Sequence, residues 1–177
     1  MKVNLGKIYL PFVVVPILAL FLTFLPAPGE AIVAKASSSS TATAAVTFNR
    51  RIENQVIKIV NQKRSEIGAK KLKKRTVLTE IARVRANQIC NSSVLSHSNP
   101  DGSNVFDILA NYGISFMAAG EDLAMGTASI MSAENIVNLW MNSSAHRNIL
   151  LNGSYGRVGV GVIDSNGNRI VSIVLIN

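Results

Sequence analysis

Two histidines, the only two in the chain, offer the most chemistry. His97 stands in Ser96-His97-Ser98-Asn99-Pro100-Asp101-Gly102 and His146 in Trp140-Met141-Asn142-Ser143-Ser144-Ala145-His146-Arg147-Asn148. Between them, Gly120-Glu121-Asp122-Leu123-Ala124 places an acid directly after a glycine. Two imidazoles and a carboxylate suit a divalent cation such as zinc, because imidazole nitrogen is a good zinc ligand and a water can complete four-coordination. The metal set expected on this basis is His97, His146 and Glu121. Separations of 24 and 25 residues are unlike any local metal motif, so only the tertiary fold can assemble such a cleft.

Hydrolysis is the enzymatic alternative. Ser98, Ser143 or Ser144 could act as a nucleophile beside a histidine base, but the chain has no Gly-x-Ser-x-Gly elbow. A metal-bound water with Glu121 as general base is chemically cleaner, yet it lacks the His-Glu-x-x-His helix of zinc peptidases. These absences favour binding over catalysis. Each candidate also has a structural explanation: His97 as a loop histidine beside a turn, His146 at a helix C-terminus, and Glu121 in the first turn of a short helix.

The elements that must position these groups are legible in part. Phe48, Ile52, Val56, Ile59 and Val60 recur at helical spacing to about Glu66, and Gly68 stops the run. Val77, Leu78, Ile81, Ala82, Ala86, Ile89 and Cys90 form a second stripe after a cap at Thr76. Asn91 to Gly102 reads as a loop, and Val105 to Leu109 as a third helix ending near Gly113. Ser132 caps a helix whose inner face is Ile136, Val137, Trp140 and Met141, with His146 in a turn or short helical continuation after it. Arg157–Ile163 and Arg169–Ile176 flank Asn166-Gly167, the pair that favours a two-residue hairpin. The second of these runs is apolar on both faces, so helices must cover both sides of the sheet. The expected fold class is therefore α/β, a three-layer α-β-α sandwich with a small, mainly antiparallel sheet.

Composition bounds the rest. Lys2 and Lys7, the uncharged apolar run Ile8 to Leu25 and Ala34-Lys35-Ala36 read as a secretory signal over residues 1–36. A retained anchor is the alternative, weakened by Pro11 and Pro16. Residues 37–47, rich in Ser, Thr and Ala, suit a disordered linker, which leaves 48–177 as one domain. The expected location is outside the cell or at its envelope. Cys90 is the only cysteine, which excludes an intramolecular disulfide and suits a small buried hydrophobe.

The chain carries 18 basic and 10 acidic side chains, unevenly placed. Residues 49–90 hold 12 basic and 3 acidic groups, with the densest block at Lys70, Lys71, Lys73, Lys74 and Arg75. That block reads either as a solvated connection or as a surface for an anionic wall polymer or phospholipid. Nucleic acid is not expected, because no aromatics interleave the lysines. A monomer is expected.

An ordered series of segments resembles the CAP superfamily, which groups cysteine-rich secretory proteins, antigen 5 and plant pathogenesis-related proteins. The series is Val60-Asn61-Gln62-Lys63-Arg64, Leu72, Leu78, Ala82, Ser96-His97-Ser98, Gly120-Glu121-Asp122-Leu123-Ala124, Trp140-Met141-Asn142-Ser143, His146-Arg147-Asn148-Ile149-Leu150 and Val158-Gly159-Val160-Gly161. The likeness is to the compact bacterial branch without disulfides, often called SCP-like, and it covers about Phe48 to Asn177. It implies an α-β-α sandwich with a cleft lined by two histidines, matched by His97 and His146, and two acids. Glu121 matches the first acid, whereas Ser143 stands where the second would be, and Asp122 stands where the family usually has asparagine. The cleft residues expected from the resemblance are thus His97, Glu121, His146 and Ser143. Sterol and lipid binding among relatives implies a small or lipid-like ligand.

Overall fold

The computed structural model describes residues 46–177. The expected signal segment and nearly all of the expected linker lie outside the described residues. In chain order the elements are β1 (Thr47–Phe48), α1 (Arg50–Glu66), β2 (Lys73–Lys74), α2 (Thr76–Ser92), α3 (Val105–Asn111), β3 (Ala119–Thr127), α4 (Ala133–Asn142), α5 (Ser144–Leu151), β4 (Arg157–Ser165) and β5 (Asn168–Ile176). The strands form one sheet in the order β1-β4-β5-β3, antiparallel throughout, and β2 adds a short parallel pairing to β4.

The two faces of the sheet are covered by different helices. Val158, Val160 and Val162 of β4 and Val171, Ile173 and Leu175 of β5 pack with α1, α4 and α5. Val174 and Ile176 face α2 and α3, and Ile163 and Ile170 face the far end of α2. This is the three-layer α-β-α sandwich expected from the doubly apolar second strand. The β4–β5 hairpin turns through Asn166 and Gly167, both at positive φ (49° and 76°), as a two-residue hairpin requires.

Helix α2 lies unusually close to the sheet. Gly159 and Gly161 alternate with the valines of β4 and turn towards α2, where a Cβ on Gly159 would come 2.0 Å from the Leu78 carbonyl carbon and one on Gly161 2.4 Å from that of Ala82. The Val-Gly-Val-Gly motif is therefore a groove for a helix backbone. α1 begins at Asn49, whose side chain accepts from the Ile52 amide at 3.2 Å. It ends at Glu66, and Gly68, two residues on, turns the chain away at φ 73°.

Two local expectations are corrected. Thr76 is the first residue of α2; the cap position is Arg75, with no side-chain cap. The Glu121 segment is a strand, not the start of a helix: Ala119–Thr127 pairs residue for residue with β5, and this ladder overrides the helix-like mix of Ala, Leu, Met and Glu. Thr47, the last residue of the expected linker, is already part of β1.

Candidate functional site

β3 is an edge strand, and successive residues on it point to opposite faces. Gly120 looks towards Ile149 and the Tyr155 hydroxyl, and Ala124 packs with α1 and α4. Asp122, between them in the alternation, shares that face. Glu121 and Leu123 turn the other way, towards α2. Two adjacent acids thus stand on opposite sides of one strand, each buried, and each meets a different histidine.

His97 lies in the α2–α3 loop, and its Nδ1 is 2.8 Å from Glu121 Oε2. Its side chain is 60% exposed, against 3% for Glu121. The loop is closed by the Gly102 amide on the Asn99 carbonyl and the Asn99 amide on the Ser103 carbonyl, with Gly102 at φ 84°. Arg85, only 1% exposed, reinforces the loop from beneath. Its guanidinium donates to Asn99 Oδ1 at 3.0 Å and to the Ser96 carbonyl, on either side of His97. Its Nε lies 3.1 Å from Glu121 Oε1, close enough for an ion pair but too poorly angled for a hydrogen bond. Glu121 is therefore an anchor shared by Arg85 and His97.

His146 is the third residue of α5, and its Nδ1 is 2.7 Å from Asp122 Oδ1. It belongs to the first turn of α5, the short helical continuation expected after α4, and so does not have the helix C-terminal position that was its structural alternative. Ser143, the junction between the two helices, has its amide on the Trp140 carbonyl and its carbonyl on the Arg147 amide. Among the described residues its hydroxyl has no partner at either imidazole, so Ser143 shapes the α4–α5 corner that aims His146. Trp140 is core, as expected, and its indole N–H donates to the outward carbonyl of Leu123 at 2.9 Å.

Beside the His97–Glu121 pair a cavity of about 310 Å³ opens along β3, lined by Val105, Phe106, Gly120, Ile149 and Tyr155 with His97 and Glu121 at its polar end. Its walls are chiefly apolar. Tyr155 donates its hydroxyl to the Ala119 carbonyl at 3.1 Å, and burial together with the charge of Asp122 raises its pKa.

Burial dominates the acids' ionisation. It pushes Glu121 up from the usual carboxylate range against the opposing pull of His97 and Arg85. It carries Asp122, which has no solvent exposure, up to about 7 despite the hydrogen bond from His146. His97 and Glu121 also act electrostatically on Asp122, so the two pairs form one coupled set.

A stability prediction follows from linkage. In the unfolded chain Asp122 ionises near pH 4, whereas in the fold it holds its proton to about 7. Between those values the folded state binds more protons, so stability falls as pH rises through the interval and levels off above it. Glu121 shifts in the same direction. Asp122→Asn, which keeps an oxygen for the His146 contact, flattens that slope; urea unfolding at about pH 4.5 and about pH 7.5 measures the difference.

Each imidazole presents Nδ1 to a carboxylate, which leaves Nε2 as the atom available to a ligand. With Glu121 held by His97 and Arg85, its geometry is that of an orienting acid behind a histidine and does not fit the third-ligand role expected for it. Among the described residues no three His, Cys, Asp or Glu side chains gather as a metal-binding group. Arg85 is the residue that sequence reasoning missed. It sits on the inward face of α2 with Leu78, Ala82 and Ile89, and a lone charge on an apolar stripe was the available signal.

The chain is 31% identical over 132 residues to the uncharacterized protein YkwD of Bacillus subtilis (strain 168), a match covering 75% of this chain and 50% of YkwD. It thus spans half the length of that curated relative. An extracellular protein containing a SCP domain from Bacillus anthracis superposes with a TM-score of 0.65 at 24% identity, covering 72% of this chain and 40% of that one. An outer surface protein from Borrelia burgdorferi superposes with a TM-score of 0.69 at 18% identity, covering 75% of this chain and 97% of that one. The profile described as CAP, the cysteine-rich secretory protein family, matches residues 57–176, more than half of the sequence, and with the ordered segments on the sandwich described above it shows that the chain belongs to the CAP family.

Proposed function

We propose that this is a secreted CAP-domain binding protein acting outside the cell or at its envelope, whose cleft takes a small amphiphilic ligand. The observation that carries this reading is the cavity along β3, with apolar walls at Phe106, Val105 and Ile149 and a polar end where His97 is held by Glu121. Such a lining suits a ligand whose apolar body displaces water from the walls and whose anionic or hydroxyl head meets His97 Nε2. Similarity to an extracellular SCP-domain protein supports the location. No described helix is long and apolar enough to cross a membrane.

Parinaric acid, a fluorescent fatty acid, is a suitable probe. Its fluorescence rises on the wild-type protein, and its affinity falls about tenfold in Phe106→Glu and in His97→Ala, roughly the loss of one good contact. Ile130→Glu, at an exposed position away from the cavity, leaves the affinity unchanged. Equal affinity in all four proteins excludes this cavity as the site.

A second reading rests on a separate observation. Carboxylates behind both Nδ1 atoms are the usual support for histidines that ligate zinc through Nε2. On this reading His97 and His146 supply two ligands and the acids hold them. Calorimetric zinc titration gives micromolar or weaker binding abolished by His97→Ala or His146→Ala; zinc binding equal to wild type in both variants rejects it. A metal-dependent hydrolase would need this zinc site first. Among the described residues neither imidazole has a serine hydroxyl partner, so binding is the reading preferred over catalysis.

A further inference from the structure

The basic block is not a loose connection. Leu72, at its centre, is buried, and the Asn61 side chain grips the Leu72 backbone at both ends, accepting from its amide at 2.7 Å and donating to its carbonyl at 3.1 Å. Arg64 Nε donates to the Lys70 carbonyl at 2.9 Å. The Lys73 amide bonds the Gly156 carbonyl and the Arg75 amide that of Val158, which fixes the segment to β4. A fully solvated linker needs none of these restraints. They display Lys70, Lys71, Lys73, Lys74 and Arg75, all exposed, on a rigid rail beside α1.

Between that rail and the outer face of α1 runs an open trough of about 950 Å³, with Lys58, Gln62 and Lys63 on one wall and Lys71 on the other. Lys74 extends the rail along α1 and donates to Asn54 Oδ1 at 2.7 Å. Few acids compensate. Glu66 pairs with Lys63 at the trough's end, and Glu53 is buried against Arg83. Arg64, Arg83 and Arg85 are committed to internal partners, whereas among the described residues the side chains of Lys58, Lys70, Lys71, Lys73 and Arg75 make no ion pair.

We infer that this trough binds a linear polyanion, a polymer carrying phosphate groups along its length. Cations on both sides of an open concavity, continued by Lys70, Lys73 and Lys74 of the rail, match a chain laid across it better than a single small anion or a flat bilayer. The lining has no aromatic or large apolar side chain to stack on a base or enter a membrane, which favours a phosphate polymer without bases. The trough lies on α1 and the α1–α2 connection, outside the cavity proposed for the amphiphile, so the two sites are independent.

Inorganic polyphosphate, pyrophosphate and phosphatidylglycerol vesicles, each titrated against the full chain, test this. Polyphosphate binds, pyrophosphate binds far more weakly, and the polymer's affinity drops roughly fiftyfold between about 50 and about 200 mM salt, the release expected for about four phosphate contacts. Lys58→Gln/Lys71→Gln weakens polymer binding about tenfold. Arg50→Gln/Arg51→Gln removes the same charge from the first turn of α1, where a cation is least favoured, and changes affinity by less than about twofold. His97→Ala leaves it intact, which separates this site from the cavity. Equal weakening by the two double substitutions would reduce the effect to net charge and overturn the trough. Pyrophosphate binding as tightly as the polymer, or vesicles binding where the polymer does not, would overturn it as well.

Discussion

Gly159→Ala gives a protein that folds poorly or not at all, whereas Gly156→Ala behaves like the wild type. The added methyl at 159 would lie 2.0 Å from the Leu78 carbonyl carbon, 2.2 Å from its oxygen and 2.3 Å from the Thr79 nitrogen. These are backbone atoms in the first turn of α2, where the Thr79 amide already donates to the Arg75 carbonyl, so no rotamer can yield. α2 would have to lift from the sheet, and with it Leu78, Ile81 and Ala82, each at 0% exposure. Ordinary overpacking costs about 1–3 kcal/mol through flexible neighbours, and a clash against backbone belongs at or above the top of that range, about 4 kcal/mol. That is a large share of a small domain's total stability. A Cβ on Gly156 meets nothing within 4 Å, and its φ is not positive, so the control changes propensity alone. Urea denaturation with circular dichroism reads both. Matched midpoints would mean that α2 does not lie against β4 at this distance. The consequence extends to the site, because α2 carries Arg85 and leads into the loop that holds His97.

Sequence patterning revealed what is local or strongly periodic. The α1 and α2 stripes, the Ser132 cap and the Asn166-Gly167 hairpin depend on neighbours within a few residues, and all were legible. β3 was not. Ala119-Gly120-Glu121-Asp122-Leu123-Ala124 has little strand propensity of its own, and its conformation is set by β5, about fifty residues away. Misreading that one element also hid the site's logic. A helix start would have placed Glu121 and Asp122 on neighbouring positions of one surface, whereas a strand sends them to opposite faces. His97 and His146 then take one acid each. The resemblance supplied the histidines and Glu121, but it also drew attention to Ser143, where a second acid is usual. In this chain Asp122 is the acid that meets His146. The strand's two-residue period separates the two acids, and the placement of the α2–α3 loop and α5 on opposite faces decides which histidine each one meets.

Glu121→Ala loses both stability and ligand capture, and a compensating change at Arg85 restores the first without the second. Removing the carboxylate leaves the Arg85 guanidinium, 1% exposed, without its counter-charge, and stripping one partner from a buried pair costs about 3–5 kcal/mol. The loss is at the lower end here, because Arg85 keeps Asn99 and the Ser96 carbonyl, and because burial already favours the protonated form of Glu121. Replacing both partners by apolar residues of similar volume, Arg85→Met with Glu121→Leu, removes the stranded charge and recovers most of that stability, since a buried ion pair is often matched by good packing. It cannot recover the contact that aims His97, nor the guanidinium bonds that flank it in the loop. The double variant is therefore expected to unfold in urea near the wild-type midpoint while binding parinaric acid about tenfold more weakly, as His97→Ala does. If stability and affinity return together, the His97–Glu121 contact is incidental to the cleft; if affinity alone stays lost, Glu121 and Arg85 are its positioning residues.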